Sequence, residues 1–503
     1  MASGRVEWQQ SARDYVTNPE GVCDAVARIA ASTPEDIAIA DGVISVSYGE
    51  LYRRATRLAV SLRDRGVRPG DIVLLSLERG SRLVEAMIAV WWAGAAFLPV
   101  DPTAPPAWRS RTVAASGASL CLTSSDLAEL PEVTRLNLDE VVLTGDAVST
   151  GLPGSRMDDI AYVIRTSGSS GMPKLATVEH RGLTNVLRAL SEEMGSLGPG
   201  AGVLHMNSPY FDMAVCEVFV ALSTGARVEV LHELSSLVEL VNSRGVTHAL
   251  MSAALIRTLD PTHVPGLRVL MSAGAICWTD TARIWSSKLR FINGYGPSET
   301  APCSNIQVVD PADLPQSTSV PLGSPIVGAR VYLLDDDLAL VPDGELGQIC
   351  IAGPNVGRGY LGQAEETARC FVRDPFGDAN DRMYLTGDMA VRRPGGALEF
   401  IGRRDFQVKI KGYRVELGEV ERTLAELTDV VDAVAIADPR IPSGRILGYV
   451  QVAEGSVLTA RDVRSAVSRL LPAYMVPSIV TVVTSWPLID NGKVDRARLP
   501  LPR

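Results

Sequence analysis

Paired cysteines are missing from this sequence. Its seven cysteines (Cys23, Cys121, Cys216, Cys277, Cys303, Cys350 and Cys370) are scattered, odd in number and without a CxxC spacing. That pattern excludes a disulfide framework or a structural zinc site and fits reduced thiols in a cytoplasmic protein. A surplus of cations is missing too. Lys and Arg number 48 against 58 Asp and Glu, a net charge of −10. No nucleic-acid partner is expected, because phosphate binding draws on clustered basic side chains. Long apolar runs are also absent. The most apolar stretch, 86–100, is interrupted by Gly94 and Pro99 and falls short of the roughly 20 residues a membrane span needs. The N-terminal MASGRVEWQQSARDYV has no apolar signal core, so neither membrane insertion nor secretion is expected. What remains is ordinary globular composition, 46% hydrophobic and 21% charged. At 503 residues the chain exceeds what one core organises, so two or more domains are expected.

The order of elements follows from periodicity. In YGELYRRATRLAVSLRDRG, Leu51, Ala55, Leu58, Ala59 and Leu62 recur at helical spacing and Gly66 supplies a stop. DIVLLSL reads as a buried strand, RLVEAMIAVWWAGA as a buried helix and FLPV as another strand. Further strands are expected at GVLHM, THALM, LRVLM, FINGY, RVYLL and GQICIAG. Such alternation predicts an α/β fold of layered, mostly parallel sheets, with a small barrel-like or distorted β part over about 327–402. Near GRRDFQVKIKGYRVELGEVE charges become dense and apolar runs shorten. Beyond it the pattern predicts helix 416–427, strands 431–437 and 446–452, helix 460–471 and strand 479–484. The expected division is therefore a large domain over 1–404 and a smaller α+β domain over 405–503.

Four short motifs could carry chemistry. IRTSGSSGMPK follows the apolar strand AYVI and gathers Thr166, Ser167, Gly168, Ser169, Ser170, Gly171 and Lys174. Glycines let backbone N–H groups turn toward an anion, while hydroxyls and an ammonium add donors. Pro173 before the lysine and the lack of a following Ser or Thr exclude the Walker pattern; read alone, the segment is equally a flexible loop. NGYGPSET offers Gly294, Tyr295 and Gly296, then Glu299 as a hard oxygen ligand and Thr300 as a donor, or merely a turn built on Gly-Pro. YLTGDMA places Asp388 after a strand, where a carboxylate suits ribose hydroxyls. Lys493 in PLIDNGKVDR is by itself an ordinary solvated charge.

Taken in order, these motifs resemble the adenylate-forming superfamily, specifically the adenylation domains of nonribosomal peptide synthetases. The resemblance covers nearly the whole chain and includes AGAAFLPVDP, YFDMAVCEVFVALSTGA, GELGQICIAGPNVGRGYLG, LPAYMVP and the terminal NGKVDR. It implies that ATP binds with its phosphates on the loop through Lys174. Tyr295 would face adenine, Asp388 and Arg403 would hold ribose, and Glu299 would position Mg2+. Lys493 would sit between the substrate carboxylate and the α-phosphate, where charge builds during attack on a polyanion. Asp405 matches the family's hinge, about which the face bearing Gly412 would replace Lys493. One departure stands out: Leu175 and Ala176 follow the loop lysine, where glycine is usual in relatives. The sequence ends at Arg503 without a carrier segment, so the phosphopantetheinylated carrier protein is expected to be separate; an MbtH-like helper protein is a further expected partner.

Asp212 aligns with the family aspartate that pairs with a substrate α-amino group, which makes an amino acid the expected small-molecule substrate; otherwise it would cap a helix beginning at Met213. Phe211, Met213, Cys216, Leu250, Met271, Ala273, Gly294, Pro302 and Cys303 match the remaining lining. None is charged, which disfavours acidic and basic side chains. A small or medium apolar amino acid is expected. Leu250, Met271 and Ala273 resemble proline-activating pockets, alanine or a branched aliphatic residue fits nearly as well, and a β-amino acid is compatible. The resemblance thus predicts an amino acid–carrier protein ligase; the alternatives are an acyl- or aryl-CoA ligase and a nonenzymatic adenylate-binding relative.

Overall fold

The computed structural model describes residues 20–124, 133–140, 155–166, 173–312, 314, 319–405, 407–410, 413–441, 444–487 and 494–502, together with the backbone of 9–10. The chain divides into two compact units. The larger gathers Met1–Pro102, Ser116–Arg165 and Leu175–Arg404; the smaller gathers Asp405–Arg503 with the short segments Thr103–Ala115 and Thr166–Lys174.

Among the described residues, three sheets organise the larger unit. Helix Tyr48–Asp64 forms where the apolar spacing predicts it: the Ser47 side chain accepts from the Glu50 N–H at 3.2 Å, and Gly66 adopts φ +91° just beyond the end. Ile72–Ser76 and Ala96–Pro99 then pair in parallel around the buried helix Ser81–Trp92. That helix is apolar on nearly every side because both flanks are covered. Trp91 is fully buried and donates its indole N–H to the Ala161 carbonyl at 2.6 Å. A nine-stranded sheet places Gly202–His205, His248–Ser252, Val269–Ala273 and Arg290–Tyr295 side by side in parallel, with Asn305–Val309 returning antiparallel. The barrel-like part is an antiparallel sheet of Arg330–Leu334, Leu346–Ala352, Arg382–Arg392 and Leu398–Arg403, distorted by register shifts at Gln348/Cys350 and Met389/Ala390.

In the smaller unit, helices Leu417–Ala425 and Ala460–Val467 cover strands Val430–Ala437, Ile446–Val452 and Ile479–Val483. Trp108 and Ala104 share its core with Val415, Val450 and Met475. Two expectations shift here. The helix expected from 416 begins at Leu417, because Glu416 closes a hairpin with Gln407–Ile410. The helix expected to reach 471 ends at Val467; Pro472 disfavours helical backbone at Leu471. No helix among the described residues is long and apolar enough to cross a membrane, and no disulfide joins any of the seven cysteines.

Candidate active site

Strand Arg290–Tyr295 delivers Gly294 and Tyr295 at the carboxyl end of a parallel array, where α/β sheets hold ligands. The chain then turns through Ser298–Thr300 and reverses at Ala301, which adopts left-handed backbone at φ +55°. The reversal returns Ser304, whose N–H donates to the Tyr295 carbonyl at 2.8 Å. Gly296 sits inside this fold-back: a Cβ there would lie 2.5 Å from the Pro302 carbonyl oxygen and 2.7 Å from Cys303 Cα. Only glycine fits such backbone contact.

The Tyr295 hydroxyl donates to Asp388 Oδ2 at 2.7 Å. Asp388 and Arg403 are direct partners across two antiparallel strands, and Arg403 Nη1 donates to Asp388 Oδ1 at 2.5 Å. Arg403 also donates to the Thr386 carbonyl, and the Thr386 hydroxyl accepts from the Asp388 N–H while donating to the Ile349 carbonyl. The carboxylate is thus oriented from several sides. Burial first, and then Asp388, hold the Tyr295 phenol well above its ordinary pKa, so it acts as a neutral donor.

Glu299 is buried and accepts from the Tyr360 hydroxyl at 2.8 Å, while its backbone carbonyl accepts from the Gly357 N–H. The Thr300 hydroxyl lies 2.8 Å from Ser304 Oγ, and Asn355 ties both residues together. Among the described residues no group of three or more His, Cys, Asp or Glu is placed to hold a metal. A single buried carboxylate nevertheless fits Mg2+, which takes one or two protein oxygens and completes its shell from phosphate and water.

Beside this lies an apolar wall. Helix Asp212–Leu222 begins at Asp212 itself; Phe211, extended and half-buried, occupies the N-cap position. The alternative in which Asp212 caps a helix starting at Met213 is therefore corrected: Asp212 is the first helical residue, and it is buried. Cys216 follows one turn later on the same face. Leu250 pairs with Met271 and Ser252 with Ala273 across parallel strands. Cys216, Leu250, Met271 and Cys303 belong to one cluster, with Met213 packed against it. Met271 and Cys303 both flank Gly294, whose added Cβ would lie 2.0 Å from Met271 Cε. Pro302 and Ala273 are buried as well. Burial pushes the Cys303 thiol up to about 12 and the Cys216 thiol well above its usual value, so both line the wall as neutral groups.

In the smaller unit Thr166 ends one strand and Lys174 begins the next; both are buried, and the Thr166 hydroxyl donates to the Lys174 carbonyl at 3.4 Å. Ser167, Gly168, Ser169, Ser170 and Gly171 lie outside the described residues, as do Gly412 and Lys493. The unusual Leu175 and Ala176 are fully buried strand residues, with Tyr360 paired opposite Ala176. Asp405 accepts from the Gln407 N–H at 3.2 Å.

Sequence reasoning passed over Tyr360, Thr386, Asn355 and, above all, Glu217. The Glu217 carboxylate is fully buried and accepts from the backbone N–H groups of Met206 and Asn207 and from the Asn207 side chain at 2.6 Å; His205 Nδ1 lies 2.9 Å away. Asn207 also donates to the Leu250 carbonyl at 3.0 Å. A lone glutamate inside the apolar run DMAVCEVFVAL is the signal that could have revealed it.

The profile of the AMP-binding enzyme family matches residues 26–361, and that of the AMP-binding enzyme C-terminal domain matches 419–493. The chain belongs to the AMP-binding enzymes. Novobiocin biosynthesis protein H of Streptomyces niveus is 38% identical over 94% of this chain and 81% of its own length. Bacitracin synthase 3 of Bacillus licheniformis is 33% identical over 96% of this chain, but the match spans only 8% of that much longer protein. Among solved structures, PA1221, an NRPS protein containing adenylation and PCP domains, superposes with a TM-score of 0.86 at 28% identity, covering 95% of this chain and 83% of that one. This AMP-binding enzyme therefore has the layered α/β fold of the adenylate-forming superfamily, with a smaller C-terminal domain, and resembles nonribosomal peptide synthetase adenylation domains.

Proposed function

We propose that the protein activates an apolar amino acid with ATP, forming the aminoacyl-adenylate and pyrophosphate, and passes the aminoacyl group to the phosphopantetheine thiol of a separate carrier protein in the cytoplasm. The observation that carries this reading is the buried carboxylate of Asp212 at the head of a wall made by Cys216, Leu250, Met271 and Cys303. A buried carboxylate is best matched by a cation, and a substrate ammonium supplies one. The uncharged lining favours proline, alanine or a branched aliphatic side chain. Family membership and the likeness to adenylation-PCP proteins support the carrier.

In this reading Tyr295, Asp388 and Arg403 receive the nucleoside, and Thr166 and Lys174 with the intervening loop receive phosphate. Mg2+ on Glu299 would neutralise charge on the phosphates. Lys493 is assigned by the resemblance of NGKVDR as the cation between substrate carboxylate and α-phosphate, and Asp405 as the hinge. The test is exchange of radiolabelled pyrophosphate into ATP against a panel of common amino acids, with and without an MbtH-like helper. Exchange confined to an apolar amino acid is expected. CoA-thioester formation from an amine-free acid, with no amino acid active, would instead make it an acyl-CoA ligase.

A further inference from the structure

Residues 357–361 close round the turn that carries Glu299. The Gly357 N–H donates to the Glu299 backbone carbonyl at 2.8 Å. A Cβ on Gly357 would lie 2.2 Å from the Thr177 carbonyl oxygen and 3.1 Å from that of Glu299, so only glycine passes between them. Gly359 and Tyr360 then pair antiparallel with Thr177 and Ala176. The Thr177 hydroxyl donates to the Gly359 carbonyl at 2.8 Å, and the Leu361 N–H to the Leu175 carbonyl at 2.9 Å. Arg358 donates to the buried Glu179 at 2.9 Å. The backbone is thus pinned on both sides of Tyr360.

The Tyr360 side chain is held as well. It is buried, its ring meets Phe371 edge-on at 5.4 Å between centroids, and Phe371 packs on Tyr384 at 4.9 Å. The Tyr360 hydroxyl donates to Glu299 Oε1 at 2.8 Å and lies 3.3 Å from the Tyr384 hydroxyl. A tyrosine has one proton to give. Spent on Glu299, it leaves the Tyr360 oxygen to accept, so Tyr384 is the donor in the second contact. The relay runs from Tyr384 through Tyr360 to Glu299, and each donated bond polarises the next. Its end point is a carboxylate only 1% exposed, where a fixed donor sets orientation more firmly than in water.

We propose that Tyr360 is a positioning residue for Glu299: with Tyr384 behind it, it fixes the carboxylate in the orientation in which Glu299 serves Mg2+. The inference rests on the reading of Glu299 as the magnesium ligand. Groups that orient a metal ligand without touching the metal typically cost about 10- to 100-fold in metal affinity when removed. In this role Tyr360 acts only through Glu299.

The experiment measures binding of α,β-methylene-ATP to the full chain by calorimetry, once in saturating magnesium chloride and once in excess EDTA. The ratio of the two affinities is the magnesium-dependent gain. Tyr360→Phe keeps the ring and removes the donor. It is expected to cut that gain about 10-fold, with the affinity in EDTA within twofold of wild type. The magnesium concentration that half-saturates pyrophosphate exchange should rise by the same factor. Phe371→Leu disturbs the same packing without touching the carboxylate and should leave the gain unchanged. An unchanged gain in Tyr360→Phe, an equal loss with and without magnesium, or a matching loss in Phe371→Leu would overturn the proposal. Should Tyr360→Phe fail to fold, Tyr384→Phe decides: a reduced gain supports the relay and an unchanged one overturns it. Glu299→Gln is read separately. If it retains the full magnesium-dependent gain, the reading of Glu299 itself fails, whatever Tyr360→Phe does.

Discussion

The hydroxyl of Tyr295 donates to Oδ2 of Asp388 at 2.7 Å, although 93 positions separate them in the chain. With Arg403 on the other carboxylate oxygen, Asp388, the proposed ribose contact, is held in one orientation. Preorganisation of this kind spares a ligand the cost of ordering its site.

Asp388→Asn keeps the shape but removes the charge that both neighbours address. Hydrogen bonds to a charged group are worth about 1.5–3 kcal/mol, so KM for ATP should rise about 10- to 100-fold while KM for the amino acid holds. Steady-state kinetics with each substrate varied separates the two. An equal rise in both would mean that Asp388 shapes the whole site and not the nucleoside end.

Glu217→Gln puts an amide N–H against the backbone donors of Met206 and Asn207, which now meet a carboxylate. Leaving buried donors unmatched costs about 1–3 kcal/mol, and a urea-unfolding midpoint should drop accordingly. Glu217→Ala should lose more, since it adds a cavity. A midpoint unchanged by Glu217→Gln would show that the amide re-pairs.

Gly294→Ala and Gly296→Ala should separate cleanly. At Gly294 the obstacle is the mobile methyl of Met271, whereas at Gly296 it is backbone. Gly294→Ala should fold and shift preference toward smaller side chains, and Met271→Ala in the same protein should restore the larger ones. Gly296→Ala should cost both stability and activity. Exchange profiles over the amino-acid panel, with thermal midpoints, test the pair.

His180 is buried against Trp91, with ring centroids 5.1 Å apart, and burial lowers its pKa from 6.5 to about 3. The unfolded chain therefore binds a proton between these values that the folded chain does not. Stability is expected to fall as pH drops through that window, by up to about 1.4 kcal/mol per unit. His180→Phe should move the acid-unfolding midpoint to lower pH; an identical acid profile would show that other groups govern it.

Sequence patterning disclosed the elements whose periodicity was uninterrupted. Tyr48–Asp64 and Ser81–Trp92 bury one stripe or every side, and the residues show it directly. The hairpin Gln407–Ile410 with Tyr413–Glu416 stayed hidden because its charges mask the alternation. Within the candidate site, motifs supplied Tyr295, Asp388 and Arg403 but not which hydroxyl meets which carboxylate, since that depends on register between distant strands. Glu217 escaped notice because a glutamate in an apolar helix acquires meaning only from its neighbours.

Asn207 joins Glu217 on helix Asp212–Leu222 to the carbonyl of Leu250 on strand His248–Ser252. The spacing of helix and strand is therefore fastened by polar groups, while the proposed substrate lining between them is apolar. Such a division lets selectivity drift by exchange of methionine, leucine or cysteine for side chains of other sizes without loosening the frame. A lineage could change what it activates long before it changed how it folds.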